Sequence, residues 1–145
     1  SEKNKDTKVC LHKDDLLMYQ NLAGQCRLFG FSYEQKIKSI DKFIDDEEEL
    51  EFGKEVKIKV IHTPGHSPGS VCFQLETPKE QILFSGDTLF SGSIGRTDLW
   101  GGDYDTIIRS IKQRIFTLEG STKVIPGHGE FTAIHREKKS NPFLI

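Results

Sequence analysis

Three apolar runs in this sequence each end in a turn carrying a side chain able to bind metal, and this limits the fold more than any other feature. Val56, Ile58 and Val60 alternate with Lys57 and Lys59 and lead into His62-Thr63-Pro64-Gly65-His66-Ser67-Pro68-Gly69-Ser70. Ile82-Leu83-Phe84 is followed by Ser85-Gly86-Asp87, and Val124-Ile125 by Pro126-Gly127-His128-Gly129. Period-2 alternation marks a strand with one buried face, and a short apolar run closed by glycine marks a buried strand. Val71, Phe73 and Leu75 repeat the alternation, and Thr77-Pro78-Lys79-Glu80 turns the chain back toward Ile82. Proline and glycine bend and stiffen the main chain around His66, so that side chain is ordered at low entropic cost. His66, Asp87 and His128, each at the end of an apolar run, form the candidate constellation.

Imidazole nitrogen and carboxylate oxygen suit zinc, and also iron or manganese, better than calcium. A carboxylate has two oxygens, so Asp87 could bind two ions at once, which a histidine cannot do. His62 stands four residues before His66, a spacing that would share a helix face, but Pro64 and Gly65 rule out a helix. It reads as structural, and His12 and His135, in no comparable setting, read as non-ligands.

The remaining segments place these turns in an α/β layer. Lys8–His12 reads as a strand. Asp14 is an N-cap for a helix from Asp15 to about Ala23, with Gly24 as its stop. Phe29, Phe31 and Tyr33 either wall a cleft or pack under the sheet. Ile37, Ile40, Phe43 and Ile44 form a connector into Asp45-Asp46-Glu47-Glu48-Glu49, an acidic run read as a solvated loop or edge. Glu51-Phe52-Gly53-Lys54 reads as a hairpin turn. The glycine-rich stretch 92–102 holds Arg96, Asp98 and Trp100 without the spacing of a phosphate-binding loop. Tyr104, Ile107, Ile108, Ile111 and Ile115 spell an amphipathic helix ending near Gly120, and His135–Ser140 a terminal one. Residues 1–7 are polar and read as a frayed or cut end.

With 145 residues and no internal repeat or boundary, residues 1–145 read as a single domain. A formal net charge of -2 gives no electrostatic reason to expect nucleic acid or an anionic membrane surface. No apolar run approaches the length of a membrane span. Cys10, Cys26 and Cys72 are odd in number and far apart, which fits no disulfide framework and points to a reducing, cytoplasmic setting. Cys10 and Cys72 read as small buried hydrophobes.

His-Thr-Pro-Gly-His-Ser-Pro-Gly-Ser (62–70), Phe-Ser-Gly-Asp-Thr-Leu-Phe (84–90), Gly-Ser-Ile-Gly-Arg-Thr-Asp (92–98) and Pro-Gly-His-Gly (126–129) together resemble the metallo-β-lactamase superfamily. Within it the chain is most similar to the short, single-domain glyoxalase II-like branch, as is the ending Asn141-Pro142-Phe143-Leu144. The resemblance implies an αββα sandwich, of which this chain is the C-terminal portion. It also implies two zinc ions in a complete active site, with iron or manganese as other occupants. His66 would bind the first ion, His128 the second, and Asp87 would bridge them. A hydroxide between the ions would attack a small-molecule thioester such as hydroxyacylglutathione.

Arg96 sits where that branch places a basic residue touching the glutathione moiety. It reads equally as a loop brace to Asp98. Glu130 occupies a position where the branch has a substrate-contacting tyrosine. The family's first motif, His-x-His-x-Asp-His, does not occur in the sequence, and the chain is expected to begin after it. The isolated chain is accordingly expected to be inactive, and its sheet to need the missing segment or a second copy as a cover. Gly95-Arg96-Thr97-Asp98 also resembles mononuclear iron persulfide dioxygenases, which would use His66 and Asp87 but not His128. A non-catalytic remnant or assembly subunit is the third reading.

Overall fold

The computed structural model describes residues 7–34, 36–52 and 56–145. The chain divides into two compact units, one ending at Ile44 and the other beginning at Asp45. In the first, strand β1 (Cys10–His12) pairs in parallel with β2 (Lys42–Ile44). Between them lie two short helices, α1 (Leu16–Gln20) and α2 (Leu22–Leu28). The Val9 amide donates to Asp41 Oδ2 at 2.7 Å, and the Tyr19 hydroxyl to the Lys38 carbonyl at 3.1 Å.

The helix expected over Asp15–Ala23 is thus broken at Asn21 and continues beyond Gly24. Asp14 lies within a single 3-10 turn (Lys13–Asp15) and caps nothing, whereas His12 Nδ1 accepts from the Asp14 amide. Gly24 leaves room for the Asn21 side chain, since a Cβ there would stand 2.3 Å from Asn21 Oδ1. The stop is Gly30, at φ 77°. The Phe31 amide reaches the Cys26 carbonyl at 2.9 Å and the Gly30 amide reaches the Arg27 carbonyl at 3.1 Å, the pairing of a Schellman cap. Cys10 is exposed, contrary to expectation, because it lies on a short strand with only one neighbour.

The second unit is a six-stranded sheet flanked by helices. Its strands are β3 (Glu49–Phe52), β4 (Val56–His62), β5 (Val71–Glu76), β6 (Gln81–Gly86), β9 (Lys123–Pro126) and β10 (Thr132–Ala133), with the hairpin β7 (Leu89–Phe90) and β8 (Ser93–Ile94) standing apart. The order is β10-β9-β6-β5-β4-β3, with β6 and β9 parallel and every other pair antiparallel. The turn expected at 51–54 lies partly outside the described residues, as does the polar start apart from Thr7. The strands flanking that turn pair down to Phe52 opposite Val56. The turn at Thr77–Glu80 forms as expected, with the Thr77 amide on the Glu80 carbonyl at 3.0 Å.

Helix α3 (Tyr104–Ser110) runs into a wider turn (Ile111–Ile115) with i→i+5 bonding, where the Phe116 amide reaches the Ile111 carbonyl at 2.8 Å. This segment therefore ends at Phe116, short of Gly120. Gly120 instead receives His135, whose amide and Nδ1 both contact its carbonyl. Ile107, Ile111 and Ile115 are fully buried with Ile61, Cys72, Leu83 and Val124 of the sheet. Each such aliphatic side chain contributes about 1.5–3 kcal/mol. Helix α4 (Ile134–Ser140) adds Ile134 to the same core. Ile82-Leu83-Phe84 is not buried throughout: Leu83 faces this core, and Phe84, on the opposite pleat, is 37% exposed. No helix among the described residues is long and apolar enough to cross a membrane.

The acidic run is more than solvated surface. Arg114 grips both oxygens of Asp46 at 2.9 Å and also Glu47, while Glu47 pairs with Lys59. Burial by itself pushes the Asp46 carboxyl up. The Arg114 hydrogen bond, the His62 amide and the Arg114 charge outweigh it and hold the group below its ordinary 3.8. A depressed carboxyl contributes stability above its unfolded value, and that contribution is lost as pH falls through the folded value. Arg114→Gln should lower the unfolding free energy at neutral pH by about 0.5–1 kcal/mol, the pair being largely solvent-screened. In urea titrations the gap between variant and wild type should close on acidification below the carboxylate range. A gap of constant size down to strong acid would show that the pair is not its source.

Candidate metal centre

β4 is antiparallel to β5, β5 to β6, and β6 is parallel to β9. Strands β4, β6 and β9 therefore run the same way and end at one edge of the sheet. The turns that follow them carry His66, Asp87 and His128, so topology alone gathers these three residues. The β6–β9 register shifts between Phe84 and Gly86, and the Gly127 amide donates to the Gly86 carbonyl at 2.8 Å. That bulge and bond set Asp87 and His128 side by side.

His66 Nε2 lies 3.8 Å from Asp87 Oδ2, and His128 Nε2 lies 3.8 Å from Asp87 Oδ1. The two imidazoles thus face different oxygens of one carboxylate. His66 is held from behind, with Nδ1 2.9 Å from the Arg96 carbonyl. A carbonyl only accepts, so the neutral ring carries its proton on Nδ1 and turns a bare Nε2 toward Asp87. His128 is 74% exposed and lies against the Phe90 ring, with centroids 4.5 Å apart. All three line a cavity of about 520 Å³ whose wall also includes Phe90, Arg96 and Glu130.

The loop bearing His66 is fastened at several points. The Ser110 hydroxyl donates to the Pro64 carbonyl at 2.8 Å, and the Asp103 amide to the Gly65 carbonyl at 2.8 Å. Ser67 and Ser70 share a hydroxyl bond at 2.7 Å. Beneath the site, Thr63 Oγ1 lies 3.2 Å from Thr88 Oγ1 and 3.3 Å from Cys72 Sγ, all of them buried. Burial pushes the Cys72 thiol up to about 11 against the lowering effect of the two threonines, so it is a structural group at neutral pH.

His62 Nε2 contacts the Pro68 carbonyl at 2.9 Å, and its amide donates to Asp46 Oδ1 at 2.8 Å. These contacts hold the end of β4 to its own turn and to the acidic loop. Arg96 forms the brace: Nε and Nη2 each donate to Asp98 at 2.9 Å. The hydrogen bond raises the Arg96 guanidinium above its ordinary value and holds the Asp98 carboxyl below its own. Sequence reasoning singled out the Arg96 side chain, yet its main-chain carbonyl is what orients His66. No residue-type signal marks a carbonyl. The Phe90 ring under His128 was likewise not foreseen.

The family model described as metallo-beta-lactamase superfamily matches residues 2–128. The chain is 38% identical over 138 residues to hydroxyacylglutathione hydrolase GloC of Haemophilus influenzae, covering 92% of this chain and 61% of that protein. Among solved structures, the BLEG-1 B3 metallo-beta-lactamase superposes with a TM-score of 0.83 at 42% identity, covering 94% of this chain and 65% of that one. TTHA1623 in a di-iron-bound form superposes with a TM-score of 0.80 at 37% identity, covering 97% of this chain and 66% of that one. The chain thus spans about three fifths to two thirds of the length of these relatives.

The loop from β8 crosses directly over the Asp87 backbone, and only glycine allows it. A Cβ on Gly95 would stand 1.8 Å from the Asp87 carbonyl oxygen and 3.3 Å from His66 Cβ. Gly95→Ala should lower the unfolding free energy by about 1–3 kcal/mol, the range of overpacking. An unchanged urea midpoint would mean the loop lifts away from Asp87 without penalty.

Proposed function

The chain belongs to the metallo-beta-lactamase superfamily, and from that premise we propose that it is the C-terminal part of a thioester hydrolase of hydroxyacylglutathione type. The observation that carries this reading is the pair of 3.8 Å separations from Asp87 to two different imidazoles. That distance is too long for a hydrogen bond. Two donors holding zinc at about 2.0–2.2 Å stand no more than roughly 4.2 Å apart, so the donor set fits one ion on each side of the carboxylate. His66 and Asp87 Oδ2 would hold one, His128 and Asp87 Oδ1 the other. Bound there, zinc, or iron in its place, would lower the pKa of water toward about 7 and polarise a carbonyl.

The chain's own residues do the rest. The Arg96 carbonyl keeps the His66 proton on the nitrogen away from Asp87. Phe90 and Ile94 give the cavity an apolar side for an acyl chain. The Arg96 guanidinium keeps Nη1 for substrate while Nε and Nη2 hold Asp98. A thiolate leaving group, of ordinary pKa near 8.5, departs without a dedicated general acid, so no acid side chain need face it. The three free thiols suit a reducing compartment such as the cytoplasm.

These 145 residues offer one imidazole per ion plus a shared carboxylate, short of the three protein ligands of a catalytic zinc site. They should bind zinc weakly and leave S-lactoylglutathione intact by themselves, and rapid turnover by this polypeptide alone would reject that expectation. In the complete protein, Asp87→Asn should lower zinc per chain and reduce thioester turnover by more than the roughly 10–100-fold that outer-sphere partners typically cost. Full metal content in that variant, by elemental analysis, would sink the bridging role. A single iron retained after His128→Ala would favour the persulfide dioxygenase reading instead.

A further inference from the structure

The hairpin that forms one wall of the cavity is fastened from outside by two buried polar side chains of the terminal segment. Glu137, 1% exposed, and Asn141, 0% exposed, have no direct contact with the cavity. Glu137 Oε1 accepts from the Thr132 hydroxyl at 2.5 Å. Its Oε2 accepts from the Gly92 amide at 2.9 Å and from Asn141 Nδ2 at 2.8 Å. Asn141 Nδ2 also donates to the Ser93 carbonyl at 3.1 Å, and its Oδ1 accepts from the Phe143 amide at 3.1 Å. A carboxylate and an amide are both costly to bury, and here every polar atom has a partner.

Gly92 and Ser93 lie at the tip and first strand residue of the β7–β8 hairpin. Three residues on from Ser93, the same chain presents the Arg96 carbonyl to His66 Nδ1, after the Gly95 amide has caught the Thr88 carbonyl at 3.2 Å. The distance between the clamp and the imidazole is therefore spanned by a short length of backbone pinned at both ends. We infer that Glu137 and Asn141 are positioning residues for His66, fixing the ring's tautomer and aim through the hairpin. The metal part of this inference rests on the function proposed above. The tautomer part does not.

The test reads His66 directly in the metal-free 145-residue chain, by long-range proton–nitrogen NMR at a pH where imidazoles are neutral. Wild type should show His66 protonated on Nδ1. Glu137→Ala should move the ring toward an Nε2-protonated mixture, and Glu137→Gln, which keeps one acceptor, should fall between. Ile115→Ala, a truncation of the shared core that removes none of these hydrogen bonds, should leave the tautomer alone. Zinc affinity should fall roughly 10–100-fold in Glu137→Ala, the usual effect of removing an outer partner. If Glu137→Ala does not fold, Asn141→Ser is read in the same spectra, with the same shift expected. An Nδ1-protonated His66 in these clamp variants overturns the inference, as does an equal shift in Ile115→Ala. A tautomer that moves while the complete protein binds no zinc upholds the positioning role and fails the metal reading.

Discussion

The Asp87 carboxylate, with an imidazole nitrogen facing each of its oxygens, is the contact that the surrounding backbone is built to deliver. A carboxylate at the end of β6 could point anywhere if the strand simply stopped. Instead the β6–β9 bulge and the Gly127–Gly86 hydrogen bond decide where residue 87 emerges, and the neighbouring strand brings His128 beside it. His66 comes from two strands further along, but from a strand of the same direction. One sheet edge thus receives three turns, which is why a modest set of short strands can assemble a site from residues 62 positions apart, His66 to His128.

Much of the precision comes from polar groups buried beneath or behind the turns. Thr63, Ser85, Thr88, Glu137 and Asn141 are all buried and all hydrogen-bonded. No buried side-chain nitrogen or oxygen among the described residues lacks a partner. In a low-dielectric interior, such bonds resist rearrangement more than apolar contacts of the same area, because each has a defined direction. The acidic loop contributes at longer range: Asp46 takes the His62 amide with one oxygen while both its oxygens hold Arg114. A surface ion pair thereby fixes the exit of β4 toward the histidine turn.

The parts readable from the sequence were those that a residue's own chemistry dictates. Proline and glycine around His66 and His128 announced tight turns, and the isoleucine spacing from Ile107 to Ile115 announced a buried helical face. Phe84 misled because an unbroken apolar triplet hides the pleat that separates it from Leu83. Gly24 misled because glycine also serves as clearance, here for Asn21, and the left-handed stop fell on Gly30. Where the helix would lose its regular bonding at Ile111 depends on packing against the sheet, which no local pattern carries. The Arg96 carbonyl, the Glu137–Asn141 clamp and the Phe90 ring are contacts between distant segments. They exist only once the hairpin has been placed.

The Thr63–Thr88 hydroxyl contact, resting on Cys72, joins the histidine turn after β4 to the aspartate turn after β6 under a common floor. His66 and Asp87 are thereby parts of one rigid body, unable to separate without exposing two buried hydroxyls. The turn of His128 is tied to Gly86 through the Gly127 amide, but the imidazole itself is mostly exposed and leans on a phenyl ring. The centre is consequently asymmetric, one imidazole hydrogen-bonded from behind and the other backed by a ring contact. Any disturbance from solvent or ligand should register first on the His128 side.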